Sequence, residues 1–182
     1  STLLLALVGL LPASGSVRVG GVALGRDTLC EVRRRIGLVF QDPNAQLFMP
    51  TVEEDVAFGP AQLGMPADEL RRRVGDALRS VGLEGLGGRS PHHLSGGERR
   101  EASLATVLPM EPHVLALDEP TTGLDPRSRR RTIGLLRDLG RTLLVATHDL
   151  EMALDLCDRA VVMDAGAIVA DGAPRELFAD AA

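Results

Sequence analysis

The chain has 182 residues and a net charge of −5, with 45% hydrophobic and 25% charged residues, four Phe, no Tyr and no Trp. That length supports one domain with a sizeable core and room for a small subdomain. The acidic balance argues against nucleic acid as the main partner, and the scarcity of aromatics against a platform for stacking single-stranded bases.

In chain order, Ser1–Thr2 opens a helical run that is apolar nearly all round through Leu11, which predicts a helix buried against a sheet. The run is too short to span a bilayer and lacks the basic flank of a signal peptide, so the protein reads as cytoplasmic. Residues 15–24 alternate and turn through Gly20–Gly21, a short antiparallel strand or hairpin. Arg33–Arg35 is polar. Ile36–Phe40 is an apolar strand that runs into Gln41. Pro50, Pro60 and Pro66 punctuate a region with no good strand. A helix is predicted over Ala67–Val81, and another from a Ser95 cap to about Leu108. Pro126 behind Asp125 starts a helix to about Leu139. Residues 142–147 are a second apolar strand, ending at His148, and Asp149 opens a helix to about Cys157. Asp164-Ala165-Gly166 joins two strands as a hairpin, and Pro174 starts a last short helix. The two cysteines, Cys30 and Cys157, match no metal or redox spacing and read as small buried hydrophobes.

The stretch that organises the chain is Val114–Leu115–Ala116–Leu117–Asp118–Glu119. Four apolar residues running into two carboxylates describe a strand buried on both faces whose end meets a ligand, because open parallel sheets bind ligands beyond their carboxyl edges. Three strands thus end in polar groups: Gln41, the Asp118–Glu119 pair and His148. Phosphoryl transfer needs such a set. Asp118 suits Mg²⁺, Glu119 suits the orientation or deprotonation of an attacking water, and His148 suits the developing phosphate charge. Gln41, donor and acceptor at once, can touch both metal and water. Leu94-Ser95-Gly96-Gly97-Glu98 adds a helix start whose glycine N–H groups and serine hydroxyl make an anion site, compatible with a capping box between Ser95 and Glu98.

These residues carry a resemblance. LSGGE at 94–98, VLALDEPT at 114–121, GLD at 123–125 and His148 are similar, in order and spacing, to the signature motif, Walker B, D-loop and switch histidine of the ATP-binding cassette ATPases. QDPNAQLFMPTVEEDVAFGP at 41–60 and MEPHVLALDEPT at 110–121 resemble the branch of energy-coupling-factor and cobalt/nickel importer ATPases. The resemblance implies an α/β fold: a P-loop NTPase (RecA-like) parallel sheet core over 1–41 and 109–182, with an inserted α-helical subdomain over 42–108. It implies ATP and Mg²⁺ as cofactors, with Ser1, Gln41 and Asp118 at the metal and Glu119, His148 and Gln41 in catalysis. It also implies a head-to-tail homo- or heterodimer in which Ser95, Gly96 and Gly97 contact the γ-phosphate of the partner's site and Asp125 lies at the seam. A transmembrane transporter subunit, docked through the helical subdomain at the cytoplasmic face of the membrane, completes the assembly, with no nucleic acid.

One departure stands out. The family's phosphate loop is G-x-x-G-x-G-K-[ST]-[ST]; Ser1 matches its metal-binding hydroxyl and Thr2 the residue after it, and the glycines and lysine are missing. All 20 basic residues are arginines, so no lysine elsewhere replaces it. Each lost charge-assisted contact to phosphate is worth about 1.5–3 kcal/mol. The expectation is therefore a chain truncated within the phosphate loop that binds ATP weakly and barely turns it over, with an unpaired gap where the missing strand belongs. The alternatives are a catalytically impaired or interaction-only subunit, and a non-transport cassette ATPase. Arg127 and Arg129–Arg131 read as a solvated face, and His92–His93 as loop residues. Phe48, Met49 and Phe58 fit either core packing or a groove for a membrane partner.

Overall fold

The apolar runs that the sequence marks as strands pair side by side in a computed structural model, which describes residues 1–179. The first of two units, residues 1–146, contains α1 (Thr2–Leu7), β1 (Arg18–Val19), β2 (Val22–Ala23), α2 (Leu29–Arg35), β3 (Ile36–Val39), α3 (Val52–Gln62), α4 (Ala67–Ser80), α5 (Gly96–Ala105), β4 (Val114–Asp118), α6 (Pro126–Asp138) and β5 (Thr142–Ala146). Strands β3, β4 and β5 form a parallel sheet in that order. Ile36 pairs with Val114 and Val39 with Leu117, while Val114 pairs with Thr142 and Asp118 with Ala146. The fold class is the one the sequence predicts, α/β with a parallel core and helical parts.

Strand side chains alternate between faces, and the two faces of this sheet carry different helices. Ile36 and Ala116 join Leu4, Val8, Val19 and Val32 in one buried cluster, which places α1, α2 and the β1–β2 hairpin on that face. Val39 and Leu117 point the other way, toward Leu104 of α5 and Leu136 of α6. Gly37 is needed on this second face: a Cβ there would lie 3.0 Å from Val107 and 3.2 Å from Pro112.

Two expectations are corrected, for the α1 run and Cys30, and two helices appear where the sequence predicts none. The α1 run is not buried all round; it ends as a helix at Leu7, with Leu4 and Val8 buried in the cluster and Leu7 packed against it, while Leu3 and Leu10 are about half exposed, at 52% and 50%. Residues 33–35 are the last turn of α2, tied by a Glu31–Arg35 ion pair at 2.7 Å and by Arg35 donating to the Gly20 carbonyl at 2.8 Å. The proline-punctuated region holds α3: a capping box between Thr51 and Glu54 starts it, Val52 and Val56 are fully buried, and Pro60 falls in its last turn. Cys30 is exposed rather than buried.

The second unit begins at Thr147. It contains α7 (Leu150–Leu156), β6 (Ala160–Asp164), β7 (Ala167–Gly172) and α8 (Pro174–Leu177). Asp149 caps α7 by accepting from the Met152 N–H at 2.9 Å. The hairpin turns through Ala165 and Gly166, both at positive φ, and Arg159 grips Asp171 through two hydrogen bonds of 2.7 and 2.6 Å. The predicted core segment 109–182 runs past the described residues.

Candidate active site

The carboxyl end of β4 delivers two carboxylates in different states. Asp118 is the last strand residue and only 7% exposed. The Ser1 backbone nitrogen lies 3.4 Å from its Oδ1, so the start of α1 and the end of β4 meet at this point. Glu119 leaves the strand with φ +46°, a left-handed conformation that costs a non-glycine residue about 1–2 kcal/mol. Hydrogen bonds hold it there. Its N–H donates to the Ala146 carbonyl at 2.8 Å, its carbonyl accepts from the Thr122 N–H at 3.2 Å, and the Thr122 hydroxyl donates to Oε2 at 3.1 Å. Strain of this kind, fixed from both sides, gathers where a side chain must be aimed.

Gln41 follows β3 by two residues on the same sheet edge, since β3 and β4 are parallel neighbours. Its carbonyl and that of Phe40 accept from the buried Arg100 guanidinium of α5, at 2.6 and 2.8 Å. Gln46 reinforces this loop: its Oε1 accepts from the Phe40 N–H at 3.0 Å, and its Nε2 donates to the Ser103 carbonyl at 2.8 Å and the Thr106 hydroxyl at 2.7 Å.

The predicted capping box at α5 forms. The Ser95 Oγ accepts from the Glu98 N–H at 3.3 Å, and Glu98 Oε2 accepts from the Ser95 N–H at 2.7 Å. That Ser95 N–H is the main cause holding the Glu98 carboxyl below its ordinary value. A Cβ on Gly96 would meet open space, so its backbone is open to approach. Gly97 has a packing reason as well: a Cβ there would lie 2.9 Å from the Ser128 Oγ. Ser128 belongs to the first turn of α6, which Asp125 caps. Asp125 Oδ1 accepts from the N–H groups of Arg127 and Ser128 at 2.9 and 3.1 Å, and Oδ2 from the Ser128 hydroxyl at 2.6 Å. The Ser128 hydroxyl is the first cause of the lowered Asp125 carboxyl.

Ser1 and Asp118 are thus brought together, as are Gly97 and the Asp125 turn. Thr2 is exposed at the start of α1. His148 follows β5 by two residues and belongs to the second unit, where it is exposed. A groove of about 360 Å³ opens elsewhere, beside Arg34, Leu63, Met65, Arg73 and Met110, and holds none of the predicted site residues.

Two features escaped the sequence reading. One is Arg100. The other is Glu101, 3% exposed, whose Oε1 meets Arg131 Nε at 2.8 Å. Burial pushes the Glu101 carboxyl up and Arg131 pulls it back. Arg131 also reaches the carbonyls of Val81 and Gly82, so it is no part of a merely solvated face. The readable signal was spacing: Arg100 and Glu101 stand four and three residues before the apolar Leu104, on the helix face that turns inward.

A family model described as ABC transporter matches residues 1–122. The chain belongs to the ABC transporter ATP-binding family. Its relatives in that family include a putative ABC transporter ATP-binding protein of Geobacter sulfurreducens, 55% identical over 179 residues, covering 98% of this chain and 72% of the relative. The energy-coupling factor transporter ATP-binding protein EcfA of Methanothermobacter thermautotrophicus is 46% identical over 187 residues, covering 100% of this chain and 60% of that protein. Among solved ABC structures, cbiO1 of Clostridium perfringens, described as part of the transporter complex cbiONQ, superposes with a TM-score of 0.85 at 38% identity, covering 99% of this chain and 74% of the other. A dimeric ATP-binding cassette bound to ADP and Pi superposes at 0.80 with 29% identity, covering 96% and 80%. This ABC chain is therefore an ATPase by family, the motor part of a transporter, and the fold it shares with these structures is that of P-loop NTPases.

Proposed function

We propose that this ATPase drives an importer of the energy-coupling-factor type, whose cargo is a metal ion or a vitamin. The observation that carries the chemistry is the tip of β4, where a buried Asp118 beside Ser1 is followed by Glu119 in a strained, hydrogen-bonded left-handed turn. The Asp118 carboxylate lies beside Ser1, and to these oxygen donors we assign the Gln41 amide, from the end of the neighbouring strand. That set fits Mg²⁺, which takes one or two carboxylates and completes its shell with phosphate and water. When bound, Mg²⁺ neutralises phosphate charge. Asp118 would hold it in place, Gln41 would orient the attacking water and Glu119 would accept the water's proton, while the phosphate-donor role of His148 rests on its motif alone.

The importer reading draws support from the EcfA relatives and from the cbiO1 structure. In it, two such ATPase subunits, identical or different, face each other, with Ser95, Gly96 and Gly97 of one meeting the nucleotide of the other and Asp125 at the seam. The segment 42–108 forms the helical subdomain. Phe48 and Phe58 stand on it as an edge-to-face pair with centroids 5.0 Å apart, 62% and 40% exposed, a surface suited to a transmembrane subunit. No helix among the described residues is long and apolar enough to cross a membrane; we assign attachment at the cytoplasmic face to that partner.

Glu119→Gln tests the assignment. The amide keeps the Thr122 hydrogen bond and removes the base. In a protein that carries a complete phosphate loop ahead of Ser1, turnover of Mg-ATP is expected to fall by about 10²-fold or more while ATP binding persists. Unchanged turnover refutes the role of Glu119.

A further inference from the structure

The loop after β3 is fastened to a helix rather than to the sheet it leaves. β3 ends at Val39, paired to Leu117 of β4. From the next residue the backbone changes partners. Phe40 gives its carbonyl to Arg100 and its N–H to Gln46, and Gln41 gives its carbonyl to Arg100. Gln46 passes the load to Ser103 and Thr106 at the far end of the same helix. Every one of these bonds leads to the helical stretch from Arg100 to Thr106, whose N-terminal turn carries Ser95, Gly96 and Gly97.

Arg100 is built for this use. It is 4% exposed, and its guanidinium spends its two terminal nitrogens on main-chain carbonyls. No carboxylate lies within ion-pair distance of it among the described contacts; Asp42 and Asp118 act on its charge from farther away. A buried guanidinium that bonds backbone instead of an acid fixes the path of that backbone.

We propose that Arg100 is the positioning residue that makes Gln41 move with the signature helix, so that the loop serving one nucleotide and the motif serving the partner's nucleotide shift as one piece. The pivot is the Val39–Phe40 junction, where the chain passes from sheet to helix. This inference rests on the roles given above to Gln41 and Ser95–Gly97. Closure of the signature motif on the partner's nucleotide then brings the Gln41 amide into register with Asp118 on its own side. One subunit's engagement thereby sets the other site's water.

The test compares wild type, Arg100→Met, Arg100→Lys, Gln41→Ala and the Arg100→Met/Gln41→Ala double variant in the full protein, after far-UV circular dichroism confirms folding. Amide hydrogen exchange needs no turnover. In Arg100→Met it is expected to speed up about tenfold or more over residues 40–47 and to stay unchanged over 114–118, with Arg100→Lys between the two. In Mg-ATP turnover, Arg100→Met is expected to lower kcat by the same factor as Gln41→Ala, with KM within about twofold, and the double variant is expected to be no slower than Gln41→Ala alone. Unchanged exchange over 40–47 overturns the inference whatever the turnover. So does a double variant whose losses multiply. If Gln41→Ala leaves turnover untouched, the role of Gln41 fails instead, and the exchange result decides whether Arg100 positions this segment.

Discussion

Removing Arg131 is expected to strand a carboxylate in the core. Glu101 on α5 is 3% exposed, its Oε1 meets Arg131 at 2.8 Å, and its Oε2 is buried without a hydrogen-bond partner. Breaking a fully buried pair costs about 3–5 kcal/mol, whereas exposed pairs are worth about 0–1 kcal/mol. This pair is asymmetric, since the Arg131 side chain is 55% exposed. Water screens the guanidinium but not the carboxylate, so Arg131→Ala is expected to cost about 2 kcal/mol near neutral pH. The two carbonyl contacts of Arg131, at 3.5 and 3.4 Å, add little at those lengths. Sign follows from burial. Glu101, raised above its ordinary value, binds its proton more tightly folded than unfolded, so stability falls as pH rises through the window above that ordinary value. Losing Arg131 widens the window and deepens the fall. Urea unfolding followed by far-UV circular dichroism, at pH 8 and pH 5, checks this. The deficit of Arg131→Ala is expected to shrink at pH 5, and adding Glu101→Gln is expected to recover about half of it. A deficit below about 0.5 kcal/mol at pH 8, or one indifferent to pH, refutes the reasoning.

Other outcomes are expected from the same structure. Ser95→Ala removes the acceptor for the Glu98 N–H and is expected to lower stability by about 1 kcal/mol, read as an earlier urea midpoint at constant slope. Asp55 is 2% exposed, accepts the Phe48 and Met49 N–H groups at 3.0 Å each, and is raised chiefly by burial. Its folded form therefore loses stability as pH rises above the ordinary Asp range. Asp55→Asn, which still accepts those bonds, is expected to gain on wild type between pH 4 and 7, and a pH-independent difference counts against it. Phe58→Asp is expected to leave the melting temperature nearly unchanged, because Phe58 is 40% exposed, while abolishing co-purification with the membrane subunit. Intact assembly removes the docking role from this aromatic pair.

Much of the first unit was legible because local chemistry and tertiary outcome agree there. Ser95 and Glu98 cap a helix in any context that buries its apolar face, and Asp125 before Pro126 does the same for α6. In the apolar run 114–117, Leu115, Ala116 and Leu117 are buried on both faces of the sheet as its composition requires, and Val114 is half-buried. α3 was missed because three prolines outweighed the Thr51–Glu54 box, although that signal stood in the sequence. α2 was missed because Arg33–Arg35 reads as solvent-facing. Its stability comes from Val32 in the core and from Arg35 reaching Gly20, a contact between residues far apart in the chain.

The sequence alone determined which residues end strands in carboxylates and amides, where helices start, and the family whose motifs those positions match. These are matters of spacing and of short-range hydrogen bonding, and a linear pattern records them. Only the tertiary structure decided that Glu119 sits in a left-handed turn closed by Ala146 and Thr122, that Arg100 holds the Gln41 backbone, and that Glu101 is buried against Arg131. The reason is physical. A charged side chain written in a sequence looks the same whether water or a neighbouring helix surrounds it, and only packing in three dimensions removes the water.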